Sequence, residues 1–476
     1  MKIAMVASEA APFVKTGGLG DVMQALPAEL AKIKGNEVCL FLPYYKRIKH
    51  NPQIEVEYVN SFSMELSWRE SYVGIFRLKT RKKKLQIYFI DNDYYFGARD
   101  TIYGDFDDGE RFAYFSKAVM AALYSLDFKP DILHCHDWQA AMGVIYCRAL
   151  YGSWCPYAKT VFTIHNVEYQ GWADTAFFDN TLGLPEAYRG HLAFDGAINM
   201  MKGAIEVADI VTTVSKTYAS ELHYPYYAHR LDSVLRRSWL WGITNGIDTT
   251  VFNPETDPAL KVNYSAKKME GKWDNKRELR KELGLRTDTD APILAMVSRL
   301  AGHKGIDLLC YISNRLMQRE IQLVIVGTGE KQYEYALSAL ARQNPGRVAV
   351  CLKFDPALAS RVYAGADMYL MPSKSEPCGL SQLIAMHYGT VPIVASTGGL
   401  RDTVLPYNSM TKEGRGFTFQ SYNADDFLGA IDRAVNLYYN GRDEWNSLAQ
   451  HDMQIDFSWA VPAAEYMQLY TELRNK

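Results

Sequence analysis

The sequence runs to 476 residues, 48% hydrophobic and 22% charged, with a formal net charge of −2. That balance suits a globular chain of two or three domains with a large core, and it gives no electrostatic reason to expect nucleic acid or an anionic membrane as partner. No apolar run reaches the roughly 20 residues that span a bilayer, no leader of basic, apolar and small residues precedes the first strand, and the seven cysteines form no CxxC pair, so a cytoplasmic protein with reduced thiols is expected.

Residues 2–7 read as a buried strand, and one short loop later comes KTGGLGDV, residues 15–22. Gly17, Gly18 and Gly20 let backbone N–H groups approach a ligand and take positive φ. A helix beginning near Asp21 would point its positive end at the same spot, with Lys15 adding a mobile charge. That is a cradle for a phosphate or a sugar oxygen, although a plain glycine turn has the same composition. Further buried strands are expected at 37–42, 131–136, 159–165 and 209–215. Their carboxyl ends run into Asp137 and Trp138, Asn166, and Ser215. Residues 54–90 alternate and are rich in aromatics, which predicts an antiparallel insertion or sheet edge, with the basic run 81–84 as a solvated hairpin turn. Helical spacing follows over 109–126. A second series of strands is expected at 292–298, 322–327, 347–352, 367–372 and 391–396, each interval leaving room for a helix. The join falls around 241–253, where NGIDTTVFNP collects turn formers. The charged segment 267–281 reads as an exposed helix, and 425–439 and 460–473 as helices. Two such βα series predict two Rossmann-like domains, with ligands beyond the carboxyl ends of their strands.

In the second series, Arg299 and Lys304 follow a strand tip, where paired cations neutralise a diphosphate without a metal. The strand at 367–372 is followed by a loop with Glu376, Cys378 and Gly379 and by a helix over 380–388. A carboxylate there holds sugar hydroxyls, while N–H groups at the helix start receive a phosphate. Gly398 and Gly399 repeat the design one strand later, giving three anion-binding or hydroxyl-binding helix starts. His134 and His136 share one strand face but lack further ligands at a usual metal spacing, so packing is the expected reading. Cys378 has no evident base beside it. The glycine loop lacks the GxGxxG spacing of a dinucleotide oxidoreductase, and no lysine stands in the context of a pyridoxal phosphate enzyme.

KTGGLGDV, HCHDW, VFTIHNVEYQG, NGID, VSRL followed by HKG, YAGADMYLMPSKSEPCGLSQL and STGGLRDTV occur in the same order in the bacterial glycogen synthases and plant starch synthases, and the chain resembles that family over nearly its whole length. The resemblance implies a GT-B fold, two Rossmann-like domains facing each other across a deep cleft: residues 1–245, residues 246–455, and a final helix within 456–476 crossing back to the first domain. It implies a retaining transfer of glucose from ADP-glucose to the non-reducing 4-hydroxyl of an α-1,4-glucan, with no cofactor and no metal. The family's diphosphate contacts fall on Lys15, Gly18, Arg299, Lys304 and the N–H groups of Leu380 and Ser381, with Gly17 also on the donor side. His165, Asn166, Asn245, Glu376, Cys378 and Gly379 correspond to residues at the transferred glucose, Asp21 and Phe354 to the nucleoside side, and Glu9, Asp137 and Trp138 to the acceptor side. Of these, Glu376, His165, Lys304, Arg299 and Lys15 are expected to carry the chemistry. The chain departs from the wider GT-B pattern at Ile384, eight positions after Glu376, where a second glutamate is frequent, so a two-carboxylate mechanism through that pair is excluded. Lys353 replaces a glycine before the aromatic Phe354, which leaves UDP-glucose as an alternative donor. An inactive glucan-binding homologue is the alternative from another class. Product type and oligomeric state are left open.

Overall fold

The computed structural model describes residues 1–80 and 84–475, so most of the basic run at 81–84 lies outside the described residues. The chain divides into two compact units, Met1–Asn245 with Trp459–Lys476, and Gly246–Ser458.

The first unit is built on a nine-stranded sheet. Its strands are β1 (Lys2–Val6), β2 (Glu37–Pro43), β3 (Val56–Leu66), β4 (Arg69–Leu78), β5 (Leu85–Asp91), β6 (Ile132–His136), β7 (Lys159–Ile164), β8 (Ile210–Thr213) and β9 (Leu240–Gly242), in the order β9-β8-β7-β6-β1-β2-β5-β4-β3. The apolar runs of β1, β6 and β7 are buried on both faces, as expected where helices cover a parallel sheet. The aromatic-rich stretch makes an antiparallel hairpin, β3 with β4, at the sheet edge. β5 differs from that pattern: it pairs antiparallel with β4 and parallel with β2, joining the hairpin to the main sheet. β9 lies inside the segment read as a join. Helices α1 (Gly18–Lys32), α2 (Asp108–Ser125) and α3 (Trp138–Ala149) belong to this unit.

The second unit opens with α4 (Glu270–Glu282) and carries a six-stranded parallel sheet: β10 (Ile293–Val297), β11 (Gln322–Val326), β12 (Val348–Cys351), β13 (Met368–Met371), β14 (Val391–Ala395) and β15 (Phe417–Phe419), in the order β12-β11-β10-β13-β14-β15. Alternate residues of each strand feed two cores. Leu294, Met296, Leu323 and Ile325 pack on one face, and Ile293, Ala295, Val324 and Val326 on the other. Helices α5 (Ile306–Leu316), α6 (Ser381–His387), α7 (Ala424–Asn440) and α8 (Arg442–Gln454) cover it.

The charged helix read as exposed is α4, and three of its charged residues, Lys272, Lys276 and Arg280, are buried. Lys272 is buried and donates to the carbonyls of Ala364 and Tyr388 and to Thr390 Oγ1, while Lys276 pairs with buried Asp367 at 2.7 Å. Long aliphatic stems let lysines line a core while their ammonium groups find acceptors.

The last helix, α9 (Ala460–Arg474), belongs to the first unit. Tyr466, Leu469, Tyr470 and Leu473 are buried, Asn36 reaches Met467, and the Tyr470 hydroxyl lies 2.6 Å from His134 Nδ1.

Candidate active site

Each sheet has one strand at which the order of connection reverses, and in open α/β sheets ligands bind beyond the carboxyl end of that strand. In the first unit it is β1, flanked by β2 and β6. In the second it is β10, flanked by β11 and β13.

Beyond β10 the chain passes Ser298 and Arg299 and turns through Gly302–Lys304 into α5. Gly305 has φ +75°, and a Cβ there would sit 2.0 Å from the Pro372 carbonyl, so only glycine lets this turn cross so close to the end of β13. The His303 carbonyl accepts the Lys374 N–H at 2.9 Å, tying the two loops together. As a result Lys304 Nζ lies 2.7 Å from Glu376 Oε2, which also accepts the Ser373 hydroxyl at 3.0 Å. Glu376 is only 7% exposed. Arg299 is exposed, and its guanidinium has no partner among the described residues. Cys378 is buried, and Gly379 leads into Leu380 and Ser381 at the start of α6, where first-turn N–H groups lack helical acceptors. Phe354 is 85% exposed on the loop after β12.

Gly398 and Gly399 open a short helix, Gly398–Thr403, as expected, and they also pack closely against the Glu376 loop. A Cβ on Gly398 would meet the Glu376 carbonyl at 2.0 Å and one on Gly399 the Cys378 carbonyl at 2.2 Å, and the Gly399 N–H donates to the Glu376 carbonyl at 3.0 Å. This pair is a floor that the Glu376–Cys378 backbone lies on.

In the first unit the KTGGLGDV segment also differs from expectation. α1 starts at Gly18 rather than near Asp21, and Gly17 caps it in an extended conformation, with φ −153°. None of Gly17, Gly18 and Gly20 has positive φ. Gly20 packs closely instead, since a Cβ there would sit 3.0 Å from Lys15 Cγ. Lys15 pairs with Asp21 at 2.6 Å. Glu9, just beyond β1, accepts both the N–H and the hydroxyl of Thr16, at 2.6 and 2.8 Å, which holds the loop onto the strand tip. Burial raises the Glu9 carboxyl above its ordinary range.

Beyond β6, Asp137 has φ +58°, a conformation that costs a non-glycine residue energy and is kept where surrounding bonds enforce it. Asp137 Oδ1 accepts the N–H of His165 at 2.7 Å and that of Asn166 at 3.4 Å, so it braces the turn after β7. Burial pushes its carboxyl up to about 7, against those two hydrogen bonds and with the charge of Glu9 adding to the rise. The Trp138 ring packs edge-on against Phe112, and a Cβ on Gly171 would meet it at 2.4 Å. Asn245 is buried, and its Oδ1 has no partner among the described residues. His165 Nε2 lies 3.0 Å from His136 Nδ1.

The structure thus gathers Arg299, Lys304, Glu376, Cys378 and the start of α6 in one unit, and Glu9, Lys15, Asp21, Asp137, His165 and Asn166 at adjacent strand tips of the other. Sequence reasoning missed Ser373, Thr16 and the tie between His136 and His165. Ser373 and Thr16 each sit within three residues of a recognised motif residue or loop glycine, but nothing in their spacing says where a hydroxyl points. Among the described residues no group of three or more His, Cys, Asp or Glu is placed to hold a metal, and no helix is long and apolar enough to cross a membrane.

Two Rossmann-like sheets, each presenting charged loops beyond its switch strand, define a GT-B glycosyltransferase. A profile of the starch synthase catalytic domain matches residues 2–237, and one of group 1 glycosyl transferases matches residues 275–452. The glycogen synthases of Anoxybacillus flavithermus and Clostridium botulinum are 44% and 45% identical to the chain, covering 99% of it and 98% and 99% of their own lengths. Among solved structures, the catalytic domain of starch synthase IV from Arabidopsis thaliana, bound to ADP and acarbose, superposes with a TM-score of 0.91 at 34% identity, over 100% of this chain and 99% of that one. Sucrose-phosphate synthase from Thermosynechococcus elongatus, at 18% identity and a TM-score of 0.63 over 99% of this chain and 98% of that one, shares the fold. The chain belongs to the glycogen and starch synthase family.

Proposed function

We propose that the chain transfers glucose from ADP-glucose to the non-reducing 4-hydroxyl of an α-1,4-glucan, with retention of configuration, in the cytoplasm. The observation that carries this reading is the Lys304–Glu376 pair at the switch strand of the second unit, with exposed Arg299 and the start of α6 beside it. Arg299, Lys304 and the first-turn N–H groups supply positive charge where a diphosphate leaves, and Lys15 adds to it. Glu376 orients glucose hydroxyls and stabilises positive charge developing on the sugar ring. Ile384 stands where a partner carboxylate would be needed for double displacement, so the departing diphosphate takes the acceptor proton on the same face. His165, Asn166 and Asn245 contact the glucose, Asp21 and Phe354 serve the nucleoside side, and Glu9, Asp137 and Trp138 serve the acceptor side. No metal takes part in this reading.

The test is glucose transfer to maltooligosaccharides from ADP-glucose and from UDP-glucose, with chelator present. A clearly higher rate from ADP-glucose is expected. Transfer only from UDP-glucose would overturn the donor, and glucan binding without transfer would overturn the activity. In the same assay Glu376→Ala is expected to fold normally and to lose at least about 100-fold in rate; an unchanged rate would refute the role of Glu376.

A further inference from the structure

Three histidines meet at the carboxyl ends of β6 and β7. His134 and His136 project from one face of β6 with ring centroids 4.0 Å apart, and His136 Nδ1 lies 3.0 Å from His165 Nε2. Burial holds all three well below the ordinary histidine range, His134 and His165 at about 3. Each ring is therefore neutral near pH 7 and carries one proton, on one nitrogen or the other.

The bond between His136 and His165 then holds a single proton, and two assignments satisfy it. In the first, His136 is protonated at Nδ1 and donates, leaving its own Nε2 bare, while His165 accepts at Nε2 and carries its proton on Nδ1. In the second, His165 donates from Nε2, and His136 must carry its proton on Nε2. The two differ in what they leave at His136 Nε2, which is fully buried and has no protein partner among the described residues. The neighbouring His134 cannot serve it, because its Nδ1 is held by the Tyr470 hydroxyl at 2.6 Å and its Nε2 by the Thr163 hydroxyl at 2.5 Å. Thr163 in turn shares a hydrogen bond with Thr212 at 2.5 Å, which completes that side of the network. The second assignment buries an N–H with no acceptor. The first buries only an unused lone pair, and buried orphan N–H groups are the rarer of the two in folded proteins.

We propose that His136 is a positioning residue that fixes His165 in its Nδ1–H tautomer, so that His165 Nδ1 is a hydrogen-bond donor toward the substrate. His165 makes its one ring hydrogen bond through Nε2, and its Nδ1 is not among the buried orphan atoms, so that nitrogen is open to a ligand. A donor there selects a sugar oxygen that accepts, and it leaves the hydroxyl proton of that oxygen for another partner. Tyr470 and Thr163 support the arrangement by holding the His134 ring against His136. The consequence for the reaction rests on the placement of His165 at the transferred glucose; the tautomer itself does not.

The chain has ten histidines, few enough for tautomers to be read from long-range ¹⁵N–¹H correlations in histidine-labelled protein, with His165→Asn used for assignment alone. His165 is expected as Nδ1–H in the unaltered protein, and finding it as Nε2–H would overturn the proposal. In His136→Leu the His165 proton is expected to move to Nε2 in part or whole, and an unchanged Nδ1–H state would also overturn it. The Leu variant is expected to lose about 10- to 100-fold in kcat with a smaller change in KM for the glucan. His136→Asn, whose amide stands near the place of Nδ1 and can donate, is expected to restore both tautomer and rate. A tautomer that responds while the rate does not would overturn the placement of His165 at the glucose and leave the tautomer assignment standing. If His136→Leu does not fold, the unaltered protein's spectrum still decides.

Discussion

Asp137 shows how much one residue's setting differs from what its motif says. HCHDW marks it as a site residue, and a carboxylate at a strand tip suggests a ligand contact. Its Oδ1 also accepts the N–H groups of His165 and Asn166, and its backbone lies at φ +58°. Neither property can be read from five letters, because both depend on where β7 ends relative to β6. The setting has a pH signature. The native carboxyl keeps its proton up to about 7, whereas the ordinary value is 3.8. Between those limits the native state binds more protons than the unfolded chain, so through this residue stability falls as pH rises, and the loss is complete above about 7. His134 and His165 act in the opposite sense. Their values lie at about 3 against an ordinary 6.5, so they withdraw stability as pH falls below 6.5. Asp137→Asn keeps an amide oxygen for the two N–H groups and has no proton to release. Its urea midpoint relative to the unaltered protein is expected to rise between about pH 5 and about pH 8, with the histidine contribution cancelling in the comparison. Parallel midpoint curves would show that Asp137 does not titrate as described.

At the scale of elements, the strands were the most legible part. β1, β10, β11, β13 and β14 are mostly apolar runs, and a sheet buried on both faces leaves that trace, whereas β6 and β7 mix histidines and threonines into it. The elements that were misread are those whose sequence signal serves two purposes. Glycine pairs mark both helix starts and close backbone packing, and Gly398 with Gly399 do both. Charged helices are usually solvated, yet Lys272 and Lys276 of α4 face inward to carbonyls and Asp367. The glycine floor is testable. Gly399→Ala drives a methyl into the Cys378 carbonyl and is expected to cost about 1–3 kcal/mol by urea unfolding, with glucose transfer reduced because Glu376 shifts. Gly429→Ala is the control: it lies within α7, where the nearest atom to an added methyl is the end of Arg433 at 3.9 Å. It is expected to stabilise by about 0.5–1 kcal/mol. Equal effects at the two sites would refute the floor.

For the whole molecule, two βα series were visible in the sequence, and so was the family, because its motifs are spread over the full chain. The family resemblance implied that α9 crosses back to the first domain, but its individual partners were not visible: Tyr470 meets His134 and Met467 meets Asn36 across more than 300 residues. The first unit is therefore discontinuous, and the second is one continuous segment, Gly246–Ser458. Burying Tyr466, Leu469, Tyr470 and Leu473 contributes about 6–12 kcal/mol, as much as the entire net stability of many domains. A chain ending at residue 458 is expected to lose the unfolding transition of the first unit in calorimetry while retaining that of the second. Two intact transitions would show that α9 is dispensable.

The same discontinuity dictates an order of events during synthesis. The first unit's sheet leaves the ribosome early, but the helix that covers His134 follows the whole of the second unit. At about 5–20 residues per second, the groove that receives Tyr466 and Tyr470 waits roughly 10–50 s for its occupant. The nascent protein spends that interval with the apolar surface around His134, which Tyr466 and Tyr470 later cover, still open to solvent.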